Sequence, residues 1–394
     1  MVSRRTMIAG GAGAAVVAGL GYRIWDRGVL AGPNGVAYEP WNHWQGSVID
    51  GIKRPLSAAI LAANPHDSQP WLFAINNESS ITVYADRARN LGAFDPFRRE
   101  MHLGLGAAIE NLVHAANVHG YTPYVRPVAG RLTASPPGEP FIAAHITMDP
   151  GAPSRDPLYE AIPSRHTNRG LYLDKPVSAA VLHGLAQIVD DADVRVVFLT
   201  DSKARAEMGA LIVAATERIV ADPQMSADSA HWIRTGRRDI EKYRDGITLE
   251  AAGLSQTTIM LAKLAPDLGA ATQDQTWLAN TREIQVHAPV LGLILVKDRL
   301  DMPQAIAAGR AWQRLHLTAT AQGLAAQPLN QPVECIDRNA ELGRTDTYQN
   351  ALVMLAEAPG WQPTFTFRLG YAEKPGPLSP RRPLDDVMKS SGLA

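Results

Sequence analysis

Two stretches of this chain can be laid on one another without a gap: "GAAIENLVHAANVHG" at Gly106–Gly120 and "GRAWQRLHLTATAQG" at Gly309–Gly323. Glycines coincide at both ends. Ala108 meets Ala311, Leu112 meets Leu315, Ala116 meets Ala319, and Glu110 meets Gln313, a side chain of similar size. Ala108, Leu112 and Ala116 recur at helical spacing, so they share one face. Small residues on that face let two backbones approach closely. Each copy precedes a strand-like run. A repeat of this kind predicts two related lobes descended from a duplication.

The chain has 394 residues, more than one typical core holds, which agrees with two lobes. Its hydrophobic fraction of 46% is ordinary for a globular protein. A net charge of -1 offers no basic excess for nucleic acid. Cys335 is the only cysteine, which excludes an internal disulfide and a cysteine-based metal cage.

Strand patterns fall at "ITVYAD" (81–86), "PFIAAHITM" (140–148), "VRVVFLT" (194–200), "VLGLILV" (290–296) and "TFTFRLGY" (364–371). Asp95-Pro96 pairs a capping acid with proline and predicts a helix from there to His119, stopped at Gly120. Further helices are expected at 50–63, 203–220, 230–242, 304–322 and 347–357. The mixture lacks strict βαβ alternation, which predicts an α+β sandwich rather than a doubly wound sheet.

At the N-terminus, Arg4 and Arg5 precede the Gly/Ala-rich stretch "TMIAGGAGAAVVAGLGY". This is the pattern of twin-arginine export. The expected organisation is a signal or anchor over 1–31, a surface linker over 32–49, a first lobe over 50–155 and a second over 156–394. Both a cleaved signal and a retained membrane tether fit the pattern, and either puts the protein outside the cytoplasm.

Several catalytic signatures are absent: no G-x-S-x-G, no H-E-x-x-H and no P-loop. "GLGAAI" (104–109) begins like a dinucleotide fingerprint but falls inside a predicted helix. Glu110 and His114 share a helical face without the rest of a metal set, so no metal site is expected.

Three clusters carry more chemistry. "NPHDSQPWLF" (64–73) combines stiffening prolines with Asn64, His66, Asp67 and Gln69, just ahead of Trp71. "SRHTNR" (164–169) sets Arg165, Thr167 and Arg169 on alternate positions. An extended chain points these the same way, as a clamp of forked cationic donors around a hydroxyl. "SPRRPLDDV" (379–387) adds Arg381 and Arg382. After the second repeated helix, "GLAAQPLNQPVE" (323–334) offers Gln327, Pro328, Leu329, Asn330 and Gln331 on proline-stiffened backbone. A phosphate clamp together with stiff, amide-rich loops points to a mononucleotide such as FMN.

The same motifs resemble those of nitroreductase-like flavoproteins, specifically the twin-lobed Acg-type branch, over everything after about residue 50. "ANPHDSQPW" is similar to that family's P-S-x-x-N-x-Q-P-W segment. "RHTNR", "LTATAQGLAAQPLNQP", "FRLGY" and "PRRPLDDV" are similar to further family blocks. Ala63, Asn64 and Asp67 stand where the family has proline, serine and asparagine. The resemblance implies a nitroreductase-like α/β sandwich whose two lobes form an internal pseudo-dimer within a monomer. It also implies FMN held at the lobe interface, contacted by the clamp arginines, the 64–69 loop and the 327–330 segment. Trp71 is expected to anchor that loop in the core. Two functions fit. One is an oxidoreductase passing hydride through FMN, from NAD(P)H or another donor, to a nitroaromatic or quinone-like small molecule. The other is a non-catalytic protein that sequesters flavin. No protein acid or base is required by either. Only one pairing of loop and clamp is complete, so one FMN per chain is expected.

Overall fold

The computed structural model describes residues 22, 24–29, 32–45, 51–134, 138–265 and 269–389. The paired arginines lie outside these residues, and no helix among the described residues is long and apolar enough to cross a membrane.

Strands β1 (Trp71–Asn77), β2 (Ser80–Ala85), β3 (Tyr121–Pro127) and β4 (Phe141–Pro150) form an antiparallel sheet in the order β1-β2-β4-β3. Strands β5 (Val194–Leu199), β8 (Val290–Val296), β9 (Ala325–Pro328) and β10 (Gln362–Gly370) form a second antiparallel sheet in the order β5-β8-β10-β9. Two short parallel strands, β6 (Ile233–Arg234) and β7 (Ile247–Thr248), pair between them in sequence. The fold is therefore α+β in two lobes, as expected.

The first sheet buries Ile81, Val83 and Ala85 of β2 against helices and leaves β3 half exposed, the alternation of a one-sided sheet. The second is covered on both faces. Along β8, Val290, Ile294 and Val296 pack with one cluster, and Leu291, Leu293 and Leu295 with the opposite one. Double coverage is why "VLGLILV" is an unbroken apolar run.

Between the sheets run helices α1 (Arg54–Ala59), α2 (Arg99–Val118) and α7 (Met302–Ala321), and α2 against α7 is the most extensive packing between any two elements. These are the two repeated segments, and they cross at the aligned glycines. A Cβ on Gly106 would lie 3.0 Å from the Gly309 Cα, and one on Gly309 would lie 2.7 Å from the Leu103 Cα. Side-chain pairing repeats about the same crossing. Glu110 binds Arg314, and the aligned residues Gln313 and Asn111 bind each other at 2.7 Å. One half of the crossing carries an ion pair and the other an amide pair.

Three expectations need correction. Helix α2 starts at Arg99, not at Asp95, because Arg98 takes a left-handed φ of 62°. Asp95 nevertheless caps the helix, accepting from the Glu100 and Met101 amides at 3.0 and 2.9 Å. The helix expected over 230–242 is interrupted by β6, which separates α4 (Pro223–His231) from a helix at Arg237–Tyr243. The segment read as a surface linker is packed instead: Ala37, Tyr38, Trp41 and Trp44 are buried, and the Trp41 indole donates to the Ser379 carbonyl. Helices α3 (Ser202–Val220), α5 (Gln256–Leu264), α6 (Ala270–Asn280) and α8 (Gln331–Glu341) complete the elements that matter below.

Candidate functional site

A cavity of about 240 Å3 opens where the lobes meet. The first lobe supplies the 64–66 loop and the start of α2. The second supplies the 167–169 segment, α7 and the run from β9 into α8, and α4, α6 and the insert between them form most of the remaining wall.

The 64–69 loop is held in a costly conformation. His66, Asp67 and Gln69 all have positive φ, near 50°. Non-glycine residues pay of order 1–3 kcal/mol each for such strain, so the surroundings must enforce it. The Asn64 side chain does part of this: its Oδ1 accepts from the Gln69 amide at 2.7 Å and its Nδ2 donates to Asp67 at 3.1 Å. Gln69 is buried and ties the loop to distant chain, donating to the Arg244 carbonyl at 2.8 Å and accepting from the Arg382 amide at 2.8 Å. Trp71 is completely buried in the first-lobe core.

Asn64, His66, Thr167, Arg169, Gln327, Pro328 and Asn330 line the cavity. The other residues read from the sequence as cofactor contacts do not. Arg165 turns into the core and donates to the Leu61 carbonyl at 3.1 Å, although alternation predicts it beside Thr167 and Arg169. Asp67 and Arg381 bind each other at 2.6 Å. Burial pushes Asp67 up to about 6 even though Arg381 opposes the shift, and burial lowers Arg381 as well. Arg381 also donates to the Ala62 carbonyl and lies 4.9 Å from the Trp41 ring. Arg382 donates to the Asp386 carbonyl, Gln69 is spent on backbone, and Leu329 is a core residue behind β8. Of the proposed cationic clamp, Arg169 and its neighbour Thr167 remain at the cavity.

Arg169 is well placed for an anion. Burial lowers its pKa to about 10, which marks an incompletely compensated cation, and one of its Nη atoms donates to the Ala251 carbonyl at 3.0 Å. Its backbone is fixed by Arg368, a fully buried residue of "FRLGY" that donates to the Asn168 and Gly170 carbonyls and stacks on Tyr172. Sequence reading noticed the motif but not this positioning role.

Beside the 167–169 segment, which bridges from Thr167 to Ala326 of β9, the cavity is rich in amides and acids. The side-chain oxygens of Gln327 and Gln331 are buried on the cavity wall without a hydrogen-bond partner in the protein, which is costly for a polar atom unless a ligand supplies a donor. Asn330 donates to Glu100 and accepts from the Thr366 amide at 3.2 Å. Glu100 and Glu334, which the sequence analysis did not single out, also face the cavity and are buried. Trp277, Trp312 and Phe365 give it flat apolar surface. No group of metal-ligating side chains occurs among the described residues.

No family model matches the chain. Two curated proteins of Mycobacterium tuberculosis are similar over nearly their whole length. "Putative NAD(P)H nitroreductase acg" is 26% identical over 347 residues, covering 86% of this chain and 95% of that one. "Putative NAD(P)H nitroreductase Rv3131" is 25% identical over 357 residues, covering 86% and 91%. Among solved structures, an FMN- and NADPH-dependent nitroreductase, NfnB, from sphigopyxis sp. strain HMH matches 60% of this chain and 99% of its own at 20% identity, with a TM-score of 0.38. A nitroreductase with bound FMN from Desulfitobacterium hafniense matches 59% and 97% at 14% identity, with a TM-score of 0.34.

Proposed function

Taking the chain as the nitroreductase-like protein that its curated relatives indicate, we propose that it is an oxidoreductase binding one FMN in the interlobe cavity. Hydride from NAD(P)H or another two-electron donor would leave through the flavin to a nitroaromatic or quinone-like acceptor. The observation that carries this reading is convergence. Arg169 and Thr167 from one segment, orphaned amide oxygens from another, and flat aromatic surface from α7 and β10 meet on one cavity.

Residues present fit the group. Arg169 and Thr167 would hold the phosphate through charge-assisted and neutral donors. Gln327 and Gln331 offer buried acceptors for ring N–H donors, and the Asn64 and Asn330 amides line the same cavity. Trp312 and Phe365 exclude water from a planar ring. When bound, FMN supplies the hydride chemistry; the chain orients the partners and sets the field around them.

A second reading has one observation of its own. Ser229 of α4, Leu249 and Leu254 of the insert and Trp277 of α6 wall the cavity, so this part of the chain covers one side of it. That favours a protein that sequesters flavin without turning it over. Anaerobic mixing of the FMN-loaded protein with NADPH separates the two: rapid bleaching supports the oxidoreductase, and a yellow protein inert to NADPH overturns it in favour of sequestration. We also propose export by the twin-arginine route, on the N-terminal motif alone.

A further inference from the structure

We propose that the paired carboxyl groups of Glu100 and Glu334 on the cavity wall donate a proton to the electron acceptor bound there. This rests on the oxidoreductase reading above and adds to it an acid that the flavin cannot supply.

Glu100 sits at the start of α2 and Glu334 in the first turn of α8, so the pair joins the two lobes across the cavity wall. Both are buried, about 6% and 5% exposed. Glu100 accepts from the Asn330 side chain, and Glu334 stands close enough to act on it directly; two carboxyl groups sharing one desolvated site hold at least one proton between them. The Glu334 Oε2 has no partner in the protein, and one turn earlier on α8 the orphaned Gln331 amide oxygen lines the same cavity.

Charge balance supports the shared proton. Facing the pair are Arg99 on α2 and Asp95 from the turn before α2, whose pKa burial raises and beside which stands Arg98; Asp337 on α8 engages Arg99. Arg99 pairs with Asp337 at 2.6 Å, and Arg299 binds the same carboxylate. Arg99 approaches Glu100 only to 3.4 Å. Arg99 is therefore mainly engaged by Asp337, and ionising both glutamates would leave buried negative charge without a dedicated counterion. His66 and Arg169 also line the cavity, and burial keeps His66 mostly neutral by lowering it to about 4. Burial raises Glu100 to about 7 against the pull of Arg99, and raises Glu334 well above the carboxylate range.

The chemistry balances. A quinone gains two electrons and two protons; the hydride delivers both electrons and one proton. The second proton comes from the glutamate pair, as one carboxyl O–H bond breaks and one quinone O–H bond forms. The pair, now carrying one more negative charge, regains a proton from water.

The test uses the FMN-loaded chain with Glu334→Gln and Glu100→Gln, whose amides keep shape but remove the exchangeable acid. Infrared spectra near neutral pH should show a protonated-carboxyl band that weakens in Glu334→Gln. Photoreduced protein mixed with a benzoquinone should reoxidise on the order of a hundredfold more slowly in Glu334→Gln. Its rate should lack the decline with rising pH that wild type should show. A wild-type chain without the infrared band overturns the proposal, as do reoxidation rates and pH profiles that match wild type in both flavin-loaded variants. A wild-type chain that takes up no FMN overturns the flavoprotein reading, and this proposal with it.

Discussion

Gly309→Ala should destabilise the protein, whereas Gly184→Ala should stabilise it. Both glycines lie inside helices, and neither needs a left-handed backbone. On helix propensity alone each change gains about 0.5–1 kcal/mol. At Gly184 nothing lies within 4 Å of the added methyl group, so the gain should appear in full. At Gly309 the methyl would overlap the Leu103 carbonyl oxygen and sit 2.7 Å from both Cα and the carbonyl carbon of Leu103, and ordinary contact begins at 3.4 Å. The obstructing atoms are backbone of α2, with no side chain to swing aside, so the two helices must separate by more than roughly 0.7 Å. A gap of that size forfeits a quarter to a half of each dispersion contact along the interface. The overpacking cost should reach the upper end of the usual range, about 3 kcal/mol, leaving about 2 kcal/mol net loss after the propensity gain. The aligned Gly106→Ala should behave in the same way, since its methyl would overlap the Ile306 carbonyl oxygen and meet Arg310 N at 2.9 Å. Urea denaturation followed by circular dichroism reads the sign: midpoints should fall for Gly309→Ala and Gly106→Ala and rise for Gly184→Ala, at unchanged slope. A Gly309→Ala protein as stable as wild type would refute the close crossing of the repeated helices.

Arg169→Ala should weaken FMN binding by about 1.5–3 kcal/mol, on the order of 10- to 100-fold, in a fluorescence titration. Arg165→Ala should act on stability instead, because its guanidinium serves the Leu61 carbonyl. Burial disfavours the charge on His114, but its contacts with Asp156 and Glu110 outweigh this and raise it to about 9. A folded-state pKa above the unfolded value of about 6.5 gives stability that is complete at low pH and lost as pH rises between the two. Unfolding free energy should therefore fall over that window by at most about 1.4 kcal/mol per pH unit, and His114→Gln should remove the slope. Arg4→Lys with Arg5→Lys should leave the protein in the cytoplasm on fractionation; export equal to wild type would remove the twin-arginine proposal.

The repeat, the strands and the motif segments are local properties, and they were legible. Glycines at matching places in two helices carry their own reason for a close crossing. "VLGLILV" shows by its unbroken apolarity that both faces are covered. The segments at 64–66, 167–169 and 327–330 all reach the cavity. What one chain segment cannot carry is the identity of its distant partner. Alternation put Arg165 on the same side as Thr167 and Arg169, but the local backbone after Ile162–Ser164 sends it toward Leu61 instead. Asp67 and Arg381 lie 314 residues apart, and each looked available until the fold made them each other's counterion. Trp41 and Trp44 sit in a polar, turn-like stretch, and only packing against the chain near Ser379 buries it. Glu100 and Glu334 are unremarkable on separate helices. Their shared proton exists because the tertiary structure removes both from water at one place, beside an arginine whose close partner is another acid.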